Sequence, residues 1–265
     1  MDESAPFLQA APWLGGQVQI ETQWLNPAAR GRRPLIVFLH EGLGSLAQWR
    51  DFPRQLCEAA DCPGLVFSRP GYGRSTPRSA PWPRDYLQEQ ARALPAYFDA
   101  LGLRGERLFL FGHSDGASLA LLLAAYFPER VRGLVAMAPH LFIEPITFEG
   151  LRRARQAYEQ GSLRAALRRH HADTDSAFFG WNDAWLNPDF QQWNIEADLR
   201  TLACPVLALQ GIDDEYATLA QIEAIARLRP GTRLCVLAGC GHAPQREQPQ
   251  RVIDETMALL AACED

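Results

Sequence analysis

The residues best equipped for chemistry are Gly112-His113-Ser114-Asp115-Gly116. The apolar run Leu108–Phe111 leads into them, and a small-residue apolar stretch follows. That order fits a strand reversing sharply into a helix, with Ser114 at the tip of a strained turn and its hydroxyl outward. Gly112 and Gly116 suit a reversal that presses strand against helix and leaves no room for a Cβ. The first N–H groups of the new helix lack intrahelical partners, so they can receive negative charge developing near the hydroxyl. The pattern is that of a nucleophilic serine; the plainer alternative is a glycine-rich turn carrying an inert one.

A serine hydroxyl needs a base within hydrogen-bond reach, and the base needs a group to fix its tautomer. The histidines are His40, His113, His140, His170, His171 and His242. His242 follows Gly239-Cys240-Gly241, just past the last apolar run, where two glycines permit a tight loop back over a sheet edge. It is the expected base. The acid is expected after the preceding run, in Gly211-Ile212-Asp213-Asp214-Glu215. Asp214 is preferred, and Asp213 is the alternative, better placed to cap the next helix. Two backbone donors should form an oxyanion hole. One is Asp115, the residue after the nucleophile. The other comes from His40-Glu41-Gly42-Leu43-Gly44, with Gly42 preferred and Leu43 next. His40 is expected to brace this loop.

The elements that must position these groups are legible as short apolar runs: 35–39, 65–68, 108–111, 134–138, 206–209 and 234–237. Almost wholly apolar, they read as strands covered on both faces. Helical patterns lie at 49–60, 84–101 (interrupted by Pro95), 118–127, 218–228 and 250–261. The alternation predicts an α/β fold, a largely parallel sheet with helices on both faces. Segment 17–24 alternates and is expected as an antiparallel edge hairpin strand. From 141 to 199 no strand is convincing; helical stretches at 148–160 and 162–171 precede an aromatic-rich segment through Trp193. This reads as a helical insertion. The expected division is a core domain, 1–140 and 200–265, and an inserted helical cap, 141–199.

Composition narrows the function. The chain has 265 residues, 47% hydrophobic, enough for one full-sized core or one domain with an insertion. Net charge is −5 and no long basic tract exists, so no nucleic-acid partner is expected. No apolar run reaches bilayer length, so no membrane partner is expected. The acidic start Met1-Asp2-Glu3-Ser4 has no apolar segment after it, and a cytoplasmic location is expected. All 26 basic residues are arginine. A pyridoxal Schiff base and a P-loop lysine are therefore excluded. Six cysteines lack C-x-x-C spacing, so buried free thiols are expected, with no metal and no cofactor.

On these residues the chain resembles the α/β-hydrolase superfamily. The likeness rests on His40-Glu41-Gly42-Leu43-Gly44, Arg69-Pro70-Gly71-Tyr72-Gly73-Arg74-Ser75, Gly112–Gly116, Gly211–Asp214 and Gly239–His242, and spans nearly the whole length. It implies an eight-stranded, mostly parallel sheet with a helical cap after the sixth strand, and the order nucleophile Ser114, acid Asp214, base His242. The Pro70–Ser75 stretch resembles a structural turn with no catalytic role. Two residues depart from the pattern. Glu41 stands where most relatives have glycine, and is expected to point away from the oxyanion hole or to handle a water or substrate group. Ala243 stands where relatives that cleave carbon–carbon bonds usually have tryptophan.

The expected activity is a cofactor-free serine hydrolase cleaving a carboxylic ester or related acyl bond of a small molecule through an acyl-enzyme. The alternatives are a carbon–carbon bond hydrolase of ring-fission products, an acyl-CoA thioesterase and, remotely, a non-enzymatic small-molecule receptor. Trp181 and Trp185, with Leu43, are candidates for the substrate wall, although aromatic residues in a cap more often glue it together. Arg152, Arg153, Arg155, Arg164, Arg168 and Arg169 read as a solvated face or as a patch steering an anionic substrate.

Overall fold

The computed structural model describes residues 5–263, so the acidic residues 1–4 lie outside the described residues. The chain opens with β1 (Phe7–Trp13) and β2 (Gly16–Leu25), then β3 (Ile36–Leu39), α1 (Phe52–Ala60), β4 (Gly64–Phe67), α2 (Tyr86–Ala100) and β5 (Leu108–His113). There follow α3 (Asp115–Tyr126), β6 (Val131–Met137), α4 (Pro145–Glu159), α5 (Ser162–Leu167) and α6 (Thr174–Leu186). The last elements are β7 (Val206–Gly211), α7 (Ala220–Leu228), β8 (Arg233–Leu237), α8 (Pro244–Glu247) and α9 (Pro249–Ala262). One eight-stranded sheet runs in the order β1-β2-β4-β3-β5-β6-β7-β8. Pairing is antiparallel at β1/β2 and β2/β4, and parallel from β4 through β8. This is the α/β-hydrolase fold.

Strand side chains alternate between two cores. Val37 and Leu39 face the core shared with α2, α3 and α7, whereas Ile36 and Phe38 face the one shared with α1 and α9. Covering both faces explains why these strands read as unbroken apolar runs. Helix α3 is buried from Asp115 through Ala125, which is why it is apolar all round.

Segment 17–24 is not the sheet edge. It is β2, paired on both sides, and the edge is β1, which the sequence pattern did not announce. Leu14 and Gly15, both at positive φ, close the β1–β2 hairpin. The aromatic-rich stretch after residue 171 contains a third helix, α6. Strand β3 lies between β4 and β5, so the sheet's order reverses there. Loops leaving the carboxyl ends of β3 and β5 diverge at such a point and leave a crevice. No described helix is long and apolar enough to cross a membrane.

Candidate active site

Ser114 joins β5 to α3 with φ 54° and ψ −120°, a strained backbone for a residue with a side chain. The strain is held in place: Ser114 N–H donates to the Met137 carbonyl at 2.9 Å, and its own carbonyl accepts from the N–H groups of Ala117 and Ser118. A Cβ on Gly116 would overlap the Leu39 carbonyl, so the helix can start against β3 only with glycine there.

Three distant segments meet at this turn. The Ser114 hydroxyl lies 2.9 Å from His242 Nε2, and His242 Nδ1 lies 2.9 Å from both Asp214 oxygens. A carboxylate only accepts, so Nδ1 carries the proton and bare Nε2 can accept the serine's. Asp214 is buried, also accepts the Tyr216 N–H at 2.9 Å, and receives Gln210 Nε2 at 3.3 Å. Asp213 is exposed and caps no helix, and of the two carboxylates it is Asp214 that meets the imidazole. Burial disfavours the charged forms of His242 and Asp214, but their mutual attraction outweighs it. The histidine is raised and the aspartate lowered from their ordinary values. The His242 loop is itself tied down: His242 N–H donates to Glu215 at 3.2 Å and its carbonyl accepts from His113 Nε2 at 2.7 Å.

The loop after β3 is braced from below. Arg69 N–H donates to His40 Nε2 at 2.9 Å, and His40 Nδ1 donates to the Glu41 carbonyl at 2.7 Å. The fully buried Arg69 guanidinium bonds the same carbonyl at 3.0 Å. Burial first, and the Arg69 charge second, push His40 well below the ordinary histidine value, so it stays neutral. The Glu41 side chain faces His113 at 3.5 Å and Arg246 at 3.6 Å. Burial opposes its charge, yet these partners hold its carboxyl well below the usual carboxylate range. His171 is neither free surface nor cavity lining. It accepts the Gly73 N–H at Nδ1 and donates from Nε2 to the Leu43 carbonyl, both at 3.0 Å, tying the inserted segment to the β3 loop.

Asp115 sends its side chain inward. Tyr86 donates its hydroxyl proton to Asp115 at 2.6 Å and accepts from Trp185 Nε1 at 2.8 Å. Arg69 stands 3.8 Å away. Burial raises the Asp115 pKa despite these partners.

Above the turn lies a cavity of about 110 Å³, lined by Glu41, Gly42, Leu43, Ser114, Asp115, His140, Thr147, Leu151, Trp181, Trp185, Tyr216 and His242. It therefore gathers five sequence-named site residues besides Ser114 and His242: Gly42, Leu43, Asp115, Trp181 and Trp185. Trp181 packs so closely on the β3 loop that a Cβ on Gly42 would overlap its indole. Phe178, Phe179 and Trp193 lie outside the lining and pack against other rings instead. No arginine lines the cavity, and the chain has no lysine. Arg155 pairs with Asp183 and Glu159, Arg164 with Asp175, and Arg153 with Glu149. Sequence reasoning missed His140 and Tyr216 as lining residues. Their signal was position: each follows the carboxyl end of a strand, β6 or β7. Arg69, Tyr86 and His171 gave no such signal. Among the described residues, no group of three His, Cys, Asp or Glu side chains could hold a metal, and the six cysteines are free and buried.

The model of the alpha/beta hydrolase family matches residues 36–255. The chain belongs to the alpha/beta hydrolase family. Among curated relatives of this alpha/beta hydrolase is the 2-hydroxy-6-oxo-6-phenylhexa-2,4-dienoate hydrolase of Burkholderia cepacia, 25% identical over 89% of this chain and 90% of that one. Another is the 2-hydroxymuconate semialdehyde hydrolase of Pseudomonas sp. strain CF600, 28% identical over 79% of this chain and 80% of that one. Among solved structures, a thermophilic esterase from Thermogutta terrifontis superimposes with a TM-score of 0.72 at 19% identity, covering 98% of this chain and all of that one. The family and the names of its relatives make this protein a hydrolase.

Proposed function

We propose that this hydrolase uses Ser114 as a nucleophile on the carbonyl of a small, uncharged ester. The observation that carries the reading is the unbroken hydrogen-bonded chain Ser114–His242–Asp214, with both links at 2.9 Å. His242 takes the hydroxyl proton as Ser114 attacks, and Asp214 holds the ring's tautomer and balances the imidazolium. The N–H groups of Gly42 and Asp115 receive the oxyanion. Asp115 is the first residue of α3, where an N–H has no intrahelical acceptor. His242 then protonates the leaving group and activates water to release the acyl group. Residues 141–199 act as a cap, with Trp181, Trp185 and Leu43 forming the substrate wall.

A second reading is cleavage of a carbon–carbon bond in a ring-fission product. The names of the curated relatives favour it over the ester reading. Two features weigh the other way. The substrates in several of those names are carboxylates, and this cavity offers no cation to meet one. Ala243 also leaves the position after His242 without an aromatic ring. A thioesterase steered by cap arginines is disfavoured because Arg153, Arg155 and Arg164 are engaged in ion pairs.

Labelling with a fluorophosphonate and mapping the adduct tests the nucleophile. Modification of Ser114 is expected; modification elsewhere would reject the assignment. Parallel turnover of p-nitrophenyl esters, acyl-CoAs and ring-fission diketones separates the bond types. Saturable binding of such ligands without turnover of any would favour the receptor reading.

A further inference from the structure

His140 is a second buried histidine at the same cavity, and the proposed chemistry does not use it. It follows Ala138-Pro139 at the carboxyl end of β6 and is 3% exposed. Its ring centroid lies 6.0 Å from that of His242 and 5.2 Å, edge-on, from that of Trp185. Backbone anchors fix its place: its N–H donates to Ser118 Oγ at 3.1 Å, and the Ser118 hydroxyl donates to its carbonyl at 2.6 Å.

The two ring nitrogens differ. Nε2 faces the Tyr216 carbonyl at 3.4 Å, an atom that only accepts and that already takes the Thr147 hydroxyl at 2.8 Å. The favourable tautomer therefore carries its proton on Nε2. Nδ1 is then a bare acceptor, and it has no partner in the protein. Burial, with the His242 charge second, lowers the ring to about 4, so it is neutral in the working range of a histidine base. A buried acceptor without a donor is costly to keep unless something supplies one.

We propose that His140 is a specificity-determining residue whose Nδ1 accepts a hydrogen bond from the substrate, so that the cavity takes neutral molecules carrying a hydroxyl or N–H group near the carbonyl that Ser114 attacks. This rests on the serine-hydrolase reading and deepens it. An unsubstituted acyl chain leaves Nδ1 orphaned, while a correctly placed donor satisfies it. A site built to bond a substrate hydroxyl discriminates against the analogue lacking it far more strongly than an apolar pocket discriminates by size.

The test compares ethyl butyrate with ethyl 2-hydroxybutyrate and ethyl 3-hydroxybutyrate, using the whole protein and its His140→Phe and His140→Asn variants. The native enzyme is expected to favour one hydroxy ester by about tenfold or more in kcat/KM. His140→Phe should bring that ratio close to one, whatever it does to the absolute turnover of ethyl butyrate. His140→Asn, whose amide oxygen can stand in for Nδ1, should restore part of it. The same esters are run as competitors of fluorophosphonate labelling at Ser114, which reads binding whether or not they turn over. Ser114 labelled, with plain and hydroxylated esters competing equally, would overturn the His140 assignment alone. So would a hydroxyl preference that survives His140→Phe. Failure to label Ser114 would remove the serine-hydrolase reading, and this proposal with it.

Discussion

At the scale of single residues, the site depends on which atoms hold protons. His242, the proposed base, can take a proton only when neutral, and the net pull of Asp214 raises its pKa above the ordinary 6.5. As pH rises, kcat/KM should therefore climb with a midpoint above that value. Asp214→Asn removes the charge that lifts it and can hold the wrong tautomer. A kcat loss of about ten-thousandfold is expected, with the midpoint moving down. Steady-state pH profiles of both proteins check this; an unmoved midpoint would dissociate Asp214 from the base. A second residue-scale expectation concerns Tyr86, whose hydroxyl links Trp185 to Asp115. Tyr86→Phe leaves the Asp115 carboxylate without that donor, and the Trp185 indole N–H without its acceptor. Denaturant titration should show a loss of about 1–3 kcal/mol. Because Asp115 also supplies a proposed oxyanion N–H, kcat should fall more than KM changes.

At the scale of elements, the question is what holds the loop of the proposed oxyanion hole still. Arg69 and His40 grip it from the sheet side, and His171 grips it from the inserted segment. His171→Phe keeps a ring of similar breadth but orphans the Gly73 N–H and the Leu43 carbonyl. It is expected to cost about 1–3 kcal/mol in thermal or chemical unfolding. It should also raise hydrogen exchange in residues 41–45, whereas a merely local packing defect would leave that exchange unchanged. The strands, and the three residues that the fold brings together, were legible in the sequence for physical reasons. Strands buried on both faces read as apolar runs, and Ser114, Asp214 and His242 sit just past such runs, where loops converge. Other elements were hidden by the same logic. Strand β1 reads Phe-Leu-Gln-Ala-Ala-Pro-Trp, without a clean apolar/polar alternation and with Pro12 inside it, so it resembles a loop. Helix α6 contains Gly180 and carries Phe178, Phe179, Trp181 and Trp185, which blurs a single apolar stripe. His171 was invisible because its role comes from two backbone groups, at Gly73 and Leu43, far away in sequence.

At the scale of the whole molecule, the proposed cap is expected to set how large a substrate can be. The cavity over Ser114 is about 110 Å³, against ~300–1,000 Å³ for pockets that hold drug-sized ligands. Trp181 closes it by resting on the Gly42 loop, and Trp185 is fixed behind it by its bond to Tyr86. Short acyl groups should therefore fit without rearrangement, while long ones require the segment to lift from the sheet. Across p-nitrophenyl esters from acetate to octanoate, kcat/KM is expected to peak at the short end. Trp181→Leu keeps an apolar wall but removes one ring system, so the optimum should move to longer chains with the acetate rate largely preserved. A uniform fall across the series would mean that Trp181 serves only to hold the segment down. An unchanged optimum would mean that the acyl chain leaves the site by a path that does not pass Trp181.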